Sequence, residues 1–177
     1  KFQKYMNNHP NEKLRDVVEK FLYEDIIALR IAPGSKLNVN SIASSLGISR
    51  TPVAEAIAAL CERGFVTNKP GSSGYYVIDL SMRDMIDLYD LRTSLESEAA
   101  AQCAMHASEA TIAELERLAH QFKEYVLSGD TAGMIETDLP FHQLIIKTCG
   151  NAYVQKCYDL LLPNLIMYQS SMINIIN

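Results

Sequence analysis

An aspartate and a histidine that could share a metal ion or a proton stand four residues apart in the second half of the chain. If the segment is helical, Asp138 and His142 leave the same face of the helix, one turn apart. This spacing suits two ligands of a divalent ion, and it equally suits an ordinary Asp to His hydrogen bond. From the residues alone, the hydrogen-bonded pair is the favoured interpretation.

An arginine within an apolar stripe is the second residue that could bind a ligand or form an ion pair. Arg92 is in line with apolar residues at helical spacing, which would point its guanidinium into a helical bundle. A buried guanidinium requires a partner. Two interpretations have equal weight: a structural ion pair with an inward carboxylate such as Glu96 or Asp138, or an effector site in which Arg92, with Glu96 beside it, binds a carboxylate. The stripe comprises Met85, Leu88, Arg92, Leu95, Ala99 and Cys103.

A third group of polar residues follows a glycine in the stretch "SIASSLGISRTPVAEAI", residues 41–57. Arg50 and Thr51 would occupy the exposed N-terminal end of a helix. From that position a recognition helix reaches base edges and phosphates in the major groove of DNA. An arginine there can contact guanine through two hydrogen bonds.

Local signals on both sides of Gly47 predict the two helices that would place this group. Asn38 or Asn40 can cap the first helix, and Gly47 allows the left-handed turn that ends it. Ser49 can cap the second helix, where Pro52 falls in the first turn and does no harm. The pattern therefore predicts a helix-turn-helix. Its apolar positions are Ile42, Ala43, Leu46, Val53, Ala56, Ile57 and Leu60.

The flanking segments extend this motif to a winged helix. A helical pattern runs from Glu12 to Ile31, and two short strands are predicted at Phe65–Asn68 and Tyr75–Ile78, with the hairpin tip "KPGSSG" between them. Lysines and backbone N–H groups of such a wing can bind phosphates. The alternative is a winged helix that makes only protein contacts. The predicted DNA-binding residues are Lys36, Asn40, Ser49, Arg50, Thr51, Lys69 and Gly71.

Successive amphipathic helices are predicted for the rest of the chain, so the fold class is mainly α. Ser81 with Asp84 resembles a capping box, Ser108 opens a second helix that Gly129 ends, and Thr131 and Asn151 mark a third and a fourth. Ile112, Leu115, Leu118, Phe122 and Val126 are expected to be buried in the second. The prediction is an N-terminal domain of residues 1–79 and an antiparallel helical bundle of residues 80–177.

Composition and charge limit the class of protein. The net charge of −5 divides into +2 for residues 1–80 and −7 for residues 81–177, which fits a DNA-binding module joined to an acidic domain. No apolar run is long enough to span a membrane and no secretory signal is recognisable, so a cytoplasmic protein is expected. No nucleophile, lysine base or glutamate partner accompanies Asp138 and His142 at a recognisable spacing, so no enzyme is predicted.

The stretch "PGSKLNVNSIASSLGISRTPVAEAIAALCERGFV" resembles the winged-helix signature of the GntR family of bacterial transcription regulators, in its FadR-type subgroup. Ala54 departs from the family pattern, in which arginine is usual, so DNA contact would depend more on Arg50, Thr51 and the wing. "DLYDLRTSLESEAA" and "GDTAGMIETDLPFHQLIIKTCGNAYV" are similar to the FCD ligand-sensing domain of that subgroup.

The resemblance implies a homodimeric repressor or activator that binds double-stranded operator DNA and a small-molecule effector such as an organic acid, with no organic cofactor. The arginine that matches Arg92 is associated with the family's effector cavity. Many members hold Zn²⁺ or a similar divalent ion with residues that match Asp138 and His142 and with two later histidines, which are missing here. The apolar run "LIMYQSSMINIIN" at the end suggests that the bundle continues. The runner-up function is a metal-binding architectural DNA-binding protein without an effector.

Pro140 lies between Asp138 and His142 and complicates the metal hypothesis. In a helix interior its ring clashes with the carbonyl of Glu136 and removes a hydrogen bond, at a cost of about 3 kcal/mol unless the helix kinks. A kink would change the angle between the two side chains. Either a metal site tolerates this change, or the pair is a simple hydrogen bond.

Overall fold

The computed structural model describes residues 1–69, 71, 73–79 and 81–176, with the backbone alone from residue 172 onward. The chain divides into two compact units, Lys1–Leu80 and Ser81–Asn177. It is mainly helical with one small sheet, which confirms the predicted fold class. Among the described residues, we find no helix whose length and hydropathy would suit it to cross a bilayer.

The first unit is a winged helix with two elements that the sequence did not predict, the helix α1 and the strand β1. The predicted helix over Glu12–Ile31 is shorter, because Leu29 adopts a positive φ of 54° that a right-handed helix does not allow. The elements are α1 (Phe2–Asn7), α2 (Leu14–Ile27), β1 (Lys36–Leu37), α3 (Val39–Leu46), α4 (Arg50–Glu62), β2 (Val66–Asn68) and β3 (Tyr75–Val77).

The turn between α3 and α4 forms largely as its sequence predicts. The Asn38 side chain caps α3 by accepting a hydrogen bond from the Ser41 backbone N–H at 3.0 Å. Gly47 ends α3 with a φ of 70°, the left-handed conformation that glycine adopts without strain. Ser49 occupies the N-cap position of α4, but its side chain makes no capping hydrogen bond, so that part of the prediction was wrong.

The core of the first unit lies between α2 and α4. Fully buried aliphatic side chains from both helices meet there, and each contributes about 1.5–3 kcal/mol relative to an exposed one. The antiparallel sheet, in the order β1-β3-β2, lets Val66 and Val77 face inward as a register pair. This packing fixes α4 as a rigid support for the residues at its N-terminus. The fully buried residues include Val18, Ile26, Val53, Ile57 and Leu60.

The second unit is a bundle of four long helices in which α7 packs against each of the others. The predicted capping residues act as expected: Ser81 accepts from the Asp84 N–H, Ser108 from the Thr111 N–H, and Asn151 from the Tyr153 N–H. Fully buried Tyr158, Leu165 and Met167 belong to its core. The helices are α5 (Met82–His106), α6 (Glu109–Ser128), α7 (Thr131–Thr148) and α8 (Ala152–Ile176).

The prediction of a buried apolar stripe along α6 was wrong. Ile112, Phe122 and Val126 are 47%, 39% and 49% exposed, and only Leu118 of the predicted set is buried. The reason is that α6 packs mainly against α7, which covers the side of α6 that carries Leu118. Helical periodicity identifies an apolar face, but it does not say whether a neighbour covers that face.

The third bundle helix continues without interruption through Pro140, which is exposed. Because proline has no N–H, the carbonyl of Glu136 receives no helical hydrogen bond from residue 140. Asp138 and His142 therefore lie in a single helix, and the turn between them lacks the backbone hydrogen bond that residue 140 would otherwise donate.

Candidate functional site

The N-terminus of α4 presents the predicted DNA-binding residues of the helix-turn-helix at the surface. Ser49, Arg50 and Thr51 are all exposed. The Arg50 Nη1 donates to the Oδ1 of Asn40, on α3, at 3.4 Å. The structure therefore brings two of the predicted contacts, Arg50 and Asn40, onto one exposed surface. Ala54, which stands where an arginine was expected from the resemblance, is half-buried and adds no charge.

The sheet carries a second group of basic residues around a tyrosine. Lys36 on β1 and Lys69 beyond β2 place their ammonium groups 5.7 and 5.2 Å from the centre of the Tyr76 ring. This cation–π arrangement holds two positive charges on one face of the sheet. Lys69 also lies 3.9 Å from the carboxylate of Asp79, so its charge is partly compensated.

Gly74 makes the approach of Lys36 possible. Its φ is +115°, and a Cβ added there would lie 2.8 Å from the Cε of Lys36. Gly71, another predicted DNA contact, is exposed, whereas Pro70 and Ser72 of the predicted hairpin tip lie outside the described residues. The wing thus places predicted residues Lys36 and Lys69 together.

In the second unit, Arg92 is the buried centre of a charge cluster. Only 5% of Arg92 is exposed, as its place in the apolar stripe predicted. Its Nε donates to the Glu96 Oε1 at 2.7 Å, and its Nη2 donates to the Asp138 Oδ2 at 3.4 Å. Burial alone lowers the pKa of Arg92, but its interactions with Glu96, together with smaller ones from Tyr158 and Asp138, outweigh burial and raise it, so the guanidinium stays charged. One of the two interpretations of Arg92, the ion pair with Glu96 and Asp138, is therefore present, and the effector role of Arg92 stays a prediction.

His142 joins the same cluster through both of its ring nitrogens. Nδ1 lies 2.7 Å from the Glu96 Oε2, and Nε2 lies 3.4 Å from the Asp138 Oδ1. Burial lowers the pKa of His142, but the interactions with Asp138 and Glu96 prevail and raise it to about 9. At neutral pH the imidazolium and the guanidinium therefore balance two carboxylates.

Two residues of α8 complete the cluster, and sequence analysis identified neither. The Gln169 Nε2 donates to the Asp138 Oδ2 at 2.9 Å. Tyr158 is 1% exposed, and burial raises the pKa of its hydroxyl; the Arg92 charge opposes this rise, and the Glu96 carboxylate, within hydrogen-bonding reach, adds to it. A polar side chain in the apolar segment "LLLPNLIMYQSSM" was the available signal for Gln169, the same signal that identified Arg92.

A cavity of about 230 Å³ opens beside the cluster, between α6 and α7. Asp138, His142 and Thr137 supply its polar wall, and the rest of its lining is apolar. A mostly apolar cavity with a few convergent polar groups is the usual form of a small-molecule site. The apolar lining consists of Leu118, Ala119, Phe122 and Phe141.

The metal hypothesis can be tested against these contacts. Two ligands of one tetrahedral Zn²⁺ lie about 3.3 Å apart, close to the 3.4 Å between Asp138 Oδ1 and His142 Nε2. The carboxylate of Glu96 on the other ring nitrogen is the usual partner of a metal-bound histidine. Within the described part of the chain, however, no group of three or more His, Cys, Asp or Glu side chains could hold a metal ion. The pair thus fits two positions of a coordination sphere and does not complete it.

Two family profiles match the chain, one for each unit. Residues 14–77 match the profile described as "Bacterial regulatory proteins, gntR family", and residues 87–174 match the FCD domain. The first range contains the helix-turn-helix and the wing, and the second contains the charge cluster.

Curated relatives agree with these matches. The chain is 33% identical over 128 residues to an uncharacterized HTH-type transcriptional regulator of Agrobacterium vitis, covering 64% of this chain and 68% of that protein. It is 28% identical over 137 residues to the HTH-type transcriptional repressor RspR of Escherichia coli, covering 77% of this chain and 60% of RspR. The gluconate operon transcriptional repressor of Bacillus subtilis is 26% identical over 138 residues, 78% of this chain and 56% of that protein. The chain thus spans about 60% of the length of such relatives.

Solved structures share the fold. E. coli McbR/YncC superposes with a TM-score of 0.67 at 22% identity, covering 94% of this chain and 78% of that one. A GntR-type transcriptional regulator from Rhodococcus sp. RHA1 gives a TM-score of 0.62 at 19% identity, covering 89% and 75%. The order of winged helix and bundle is thus common to these proteins.

Proposed function

The chain belongs to the GntR family of bacterial regulatory proteins, and from this premise we propose that it is a cytoplasmic, effector-responsive transcription regulator and not an enzyme. It binds operator DNA through the winged helix and senses a small carboxylate metabolite in the helical bundle. The observation that carries the DNA-binding half is the exposed Arg50 at the N-terminus of α4, in contact with Asn40. A recognition helix contacts base edges from this end.

The proposed DNA contacts divide into two classes. Arg50, Thr51 and Asn40 lie where base edges would be, so they supply sequence preference. Lys36 and Lys69 on the wing, together with the exposed backbone at Gly71, supply phosphate contacts that position the protein on any sequence. Ser49 belongs with the phosphate contacts, because its hydroxyl is exposed and makes no capping bond.

A homodimer with a two-fold axis would double the contacts that one small winged helix can make. We therefore propose an inverted-repeat operator with the bundle contributing to the dimer interface. Repression is the proposed mode of action, since two of the relatives described above are named as repressors.

Arg92 is the proposed binding residue for the effector carboxylate. Its contact with Asp138 is the longer of its two ion pairs, 3.4 Å against 2.7 Å to Glu96. Asp138 is also held by Gln169 and His142, so it can release Arg92 and keep two partners. An effector carboxylate could then take the place of Asp138 on the guanidinium, while Glu96 keeps Arg92 in position.

Asp138 and His142 are also the proposed ligands of a divalent ion such as Zn²⁺, with Glu96 orienting the imidazole. A bound ion would supply positive charge for an anionic effector. Elemental analysis of metal-loaded protein before and after His142→Ala tests this. Equal metal content in the two proteins would reject His142 as a ligand.

One experiment tests the whole proposal. Sequences bound by the protein are selected from random duplex DNA, and the affinity for the selected site is then measured with and without small carboxylates. The proposed regulator selects an inverted repeat and loses affinity for it when its effector is added, because the coupling of two binding sites is reciprocal. Failure to select any sequence would reject operator binding. Selection of a site that no carboxylate affects would favour the second candidate, an architectural DNA-binding protein that holds a metal through Asp138 and His142.

A further inference from the structure

Helix α6 has an apolar face that the other described helices leave largely uncovered. Its apolar residues are separated alternately by three and four positions, the repeat that lets two helices pack along a common seam. Four of the five are exposed, and Leu115 is half-buried. A contiguous exposed apolar patch of this kind marks an interaction surface. This set, called the α6 seam below, consists of Ile112, Leu115, Ala119, Phe122 and Val126.

The α6 seam is nearly symmetric about Ala119. Leu115 and Phe122 stand four and three positions from Ala119, and Ile112 and Val126 each stand seven positions from it. If two copies of α6 lie antiparallel about a two-fold axis at Ala119, apolar residues therefore meet apolar residues along the whole seam. The small side chain of alanine at the centre lets the two helix axes approach closely.

Two charged residues beside the seam are complementary in the same arrangement. Glu116 and Lys123 lie on one side of the seam, both are exposed, and neither side chain forms an ion pair within the described part of the chain. Their midpoint falls between residues 119 and 120, within one residue of the axis. Since this two-fold axis keeps the same side of both helices together, Glu116 lies opposite the partner's Lys123, and two ion pairs form. Glu114 and Arg117, by contrast, already pair within α6 at 2.6 Å.

The α6 seam also borders the cavity beside the charge cluster. Ala119 and Phe122 belong to both, because they line the cavity between α6 and α7. A second helix packed on the seam would therefore contribute to the wall of that cavity.

We propose that α6 mediates homodimerisation by packing antiparallel against α6 of a second copy of the chain, with the two-fold axis at Ala119. This inference rests on the proposed homodimer and specifies the helix, its direction and its register. An apolar seam gives the affinity, and the two ion pairs between Glu116 and the partner's Lys123 select the antiparallel register.

Charge reversal tests the register. Sedimentation equilibrium of the 177-residue chain at low salt measures the dimer dissociation constant. Glu116→Lys and Lys123→Glu each place like charges opposite each other at two symmetric positions, so each should weaken the dimer about tenfold. The double variant restores both ion pairs and should return to within about twofold of the wild type. The control is Glu124→Lys, which makes the same charge change at an exposed residue on the opposite side of α6 and should have little effect.

A disulfide crosslink tests the position of the axis. The background carries Cys61→Ser and Cys157→Ser, which removes the two cysteines that are not buried. In this background, Ala119→Cys places a thiol opposite its own copy, so copper phenanthroline should convert the protein to a covalent dimer. Ala113→Cys is the matched control, because Ala113 is exposed on α6 and faces away from the seam. It should remain largely uncrosslinked.

The proposal requires both results, and the other outcomes overturn it. If the wild type is a dimer but charge reversal has no effect or Ala119→Cys does not crosslink, another surface mediates the dimer, so the homodimer stands and the role of α6 is rejected. If the single variants weaken the dimer and the double variant does not recover, the antiparallel register is rejected. If the wild type is a monomer at its highest soluble concentration, the homodimer and the role of α6 are both rejected.

Discussion

The two units place their candidate residues in opposite environments. In the winged helix, Arg50 and Lys36 are exposed, and the hydrogen bond of Arg50 to Asn40 is long at 3.4 Å. In the bundle, Arg92 is buried and held by two carboxylates from two helices. Exposed charges remain available to a polyanion and add little to stability, whereas buried charges must be satisfied within the protein before a ligand arrives. Arginine is therefore available for DNA recognition in the winged helix, whereas in the bundle Arg92 both stabilises the fold and is the proposed effector contact.

Removal of Arg92 should have the largest effect. Arg92→Ala removes a buried guanidinium and leaves the half-buried carboxylates of Glu96 and Asp138 with His142 as their remaining cationic partner, so we expect a loss of about 3–5 kcal/mol in the stability of the bundle. Calorimetry that resolves the unfolding of the bundle measures it. Arg83→Ala is the matched control, because Arg83 lies on the same helix with its side chain 80% exposed and pairs with Asp87 at 3.0 Å. The control should change stability by less than about 0.5 kcal/mol. Similar losses in both variants would remove the contrast between the two environments.

The pH dependence of stability should be the next largest effect. His142 has a folded-state pKa of about 9 against an ordinary value of 6.5, so the folded state binds its proton more tightly than the unfolded state does. The stabilisation is therefore complete below about pH 6.5 and is lost as the pH rises through 9, by at most about 3 kcal/mol. Melting temperatures of metal-free protein between pH 6 and 9.5 measure the loss. In His142→Gln the melting temperature should fall much less between pH 6 and 9.5. An unchanged pH dependence in that variant would assign the titration to another group.

Arg50 should matter for DNA and hardly at all for folding. Arg50→Ala should weaken binding to the selected operator by about 1–3 kcal/mol and relax sequence preference at one base pair, with the melting temperature unchanged. Fluorescence anisotropy on operator and scrambled duplexes measures both quantities. Arg15→Ala provides a control, since Arg15 is an exposed arginine of the same unit that pairs with the neighbouring Asp16. Retention of wild-type affinity and preference by Arg50→Ala would refute the proposed docking of α4.

The smallest effect is expected at the wing. Lys69→Ala should weaken binding to all DNA sequences alike and reduce the slope of log affinity against log salt by about one. Lys36→Ala should behave in the same way, because both lysines hold their ammonium groups close to the Tyr76 ring. Titrations at several salt concentrations give the slopes. A sequence-dependent loss in either variant would place that lysine among the base contacts.

The success of prediction from sequence depended on how local each signal is. The turn at Gly47, the caps at Asn38, Ser81 and Ser108 and the inward direction of Arg92 follow from residues a few positions apart, and the structure has them all. The exposure of Phe122 was not predicted, because it depends on which helices pack against α6.

Two members of the charge cluster, Gln169 and Tyr158, were not predicted for the same reason. Gln169 reaches Asp138 across 31 positions of sequence, and Tyr158 resembles an ordinary core tyrosine until the packing of α8 places it beside Arg92 and Glu96. Contacts between distant helices are set by packing, and no local pattern encodes them.

The backbone conformations of Gly47 and Gly74 predict which substitutions each position tolerates. Gly47 has a φ of 70°, in the left-handed region that asparagine also visits, and a Cβ added there would meet no atom within 4 Å, so a variant with asparagine there should persist. Gly74 has a φ of +115°, outside that region. The nearby Lys36 could move aside, but no other amino acid adopts this backbone without strain. Deep mutational scanning under selection for DNA binding should therefore recover almost only glycine codons at position 74, while Lys36 itself tolerates arginine.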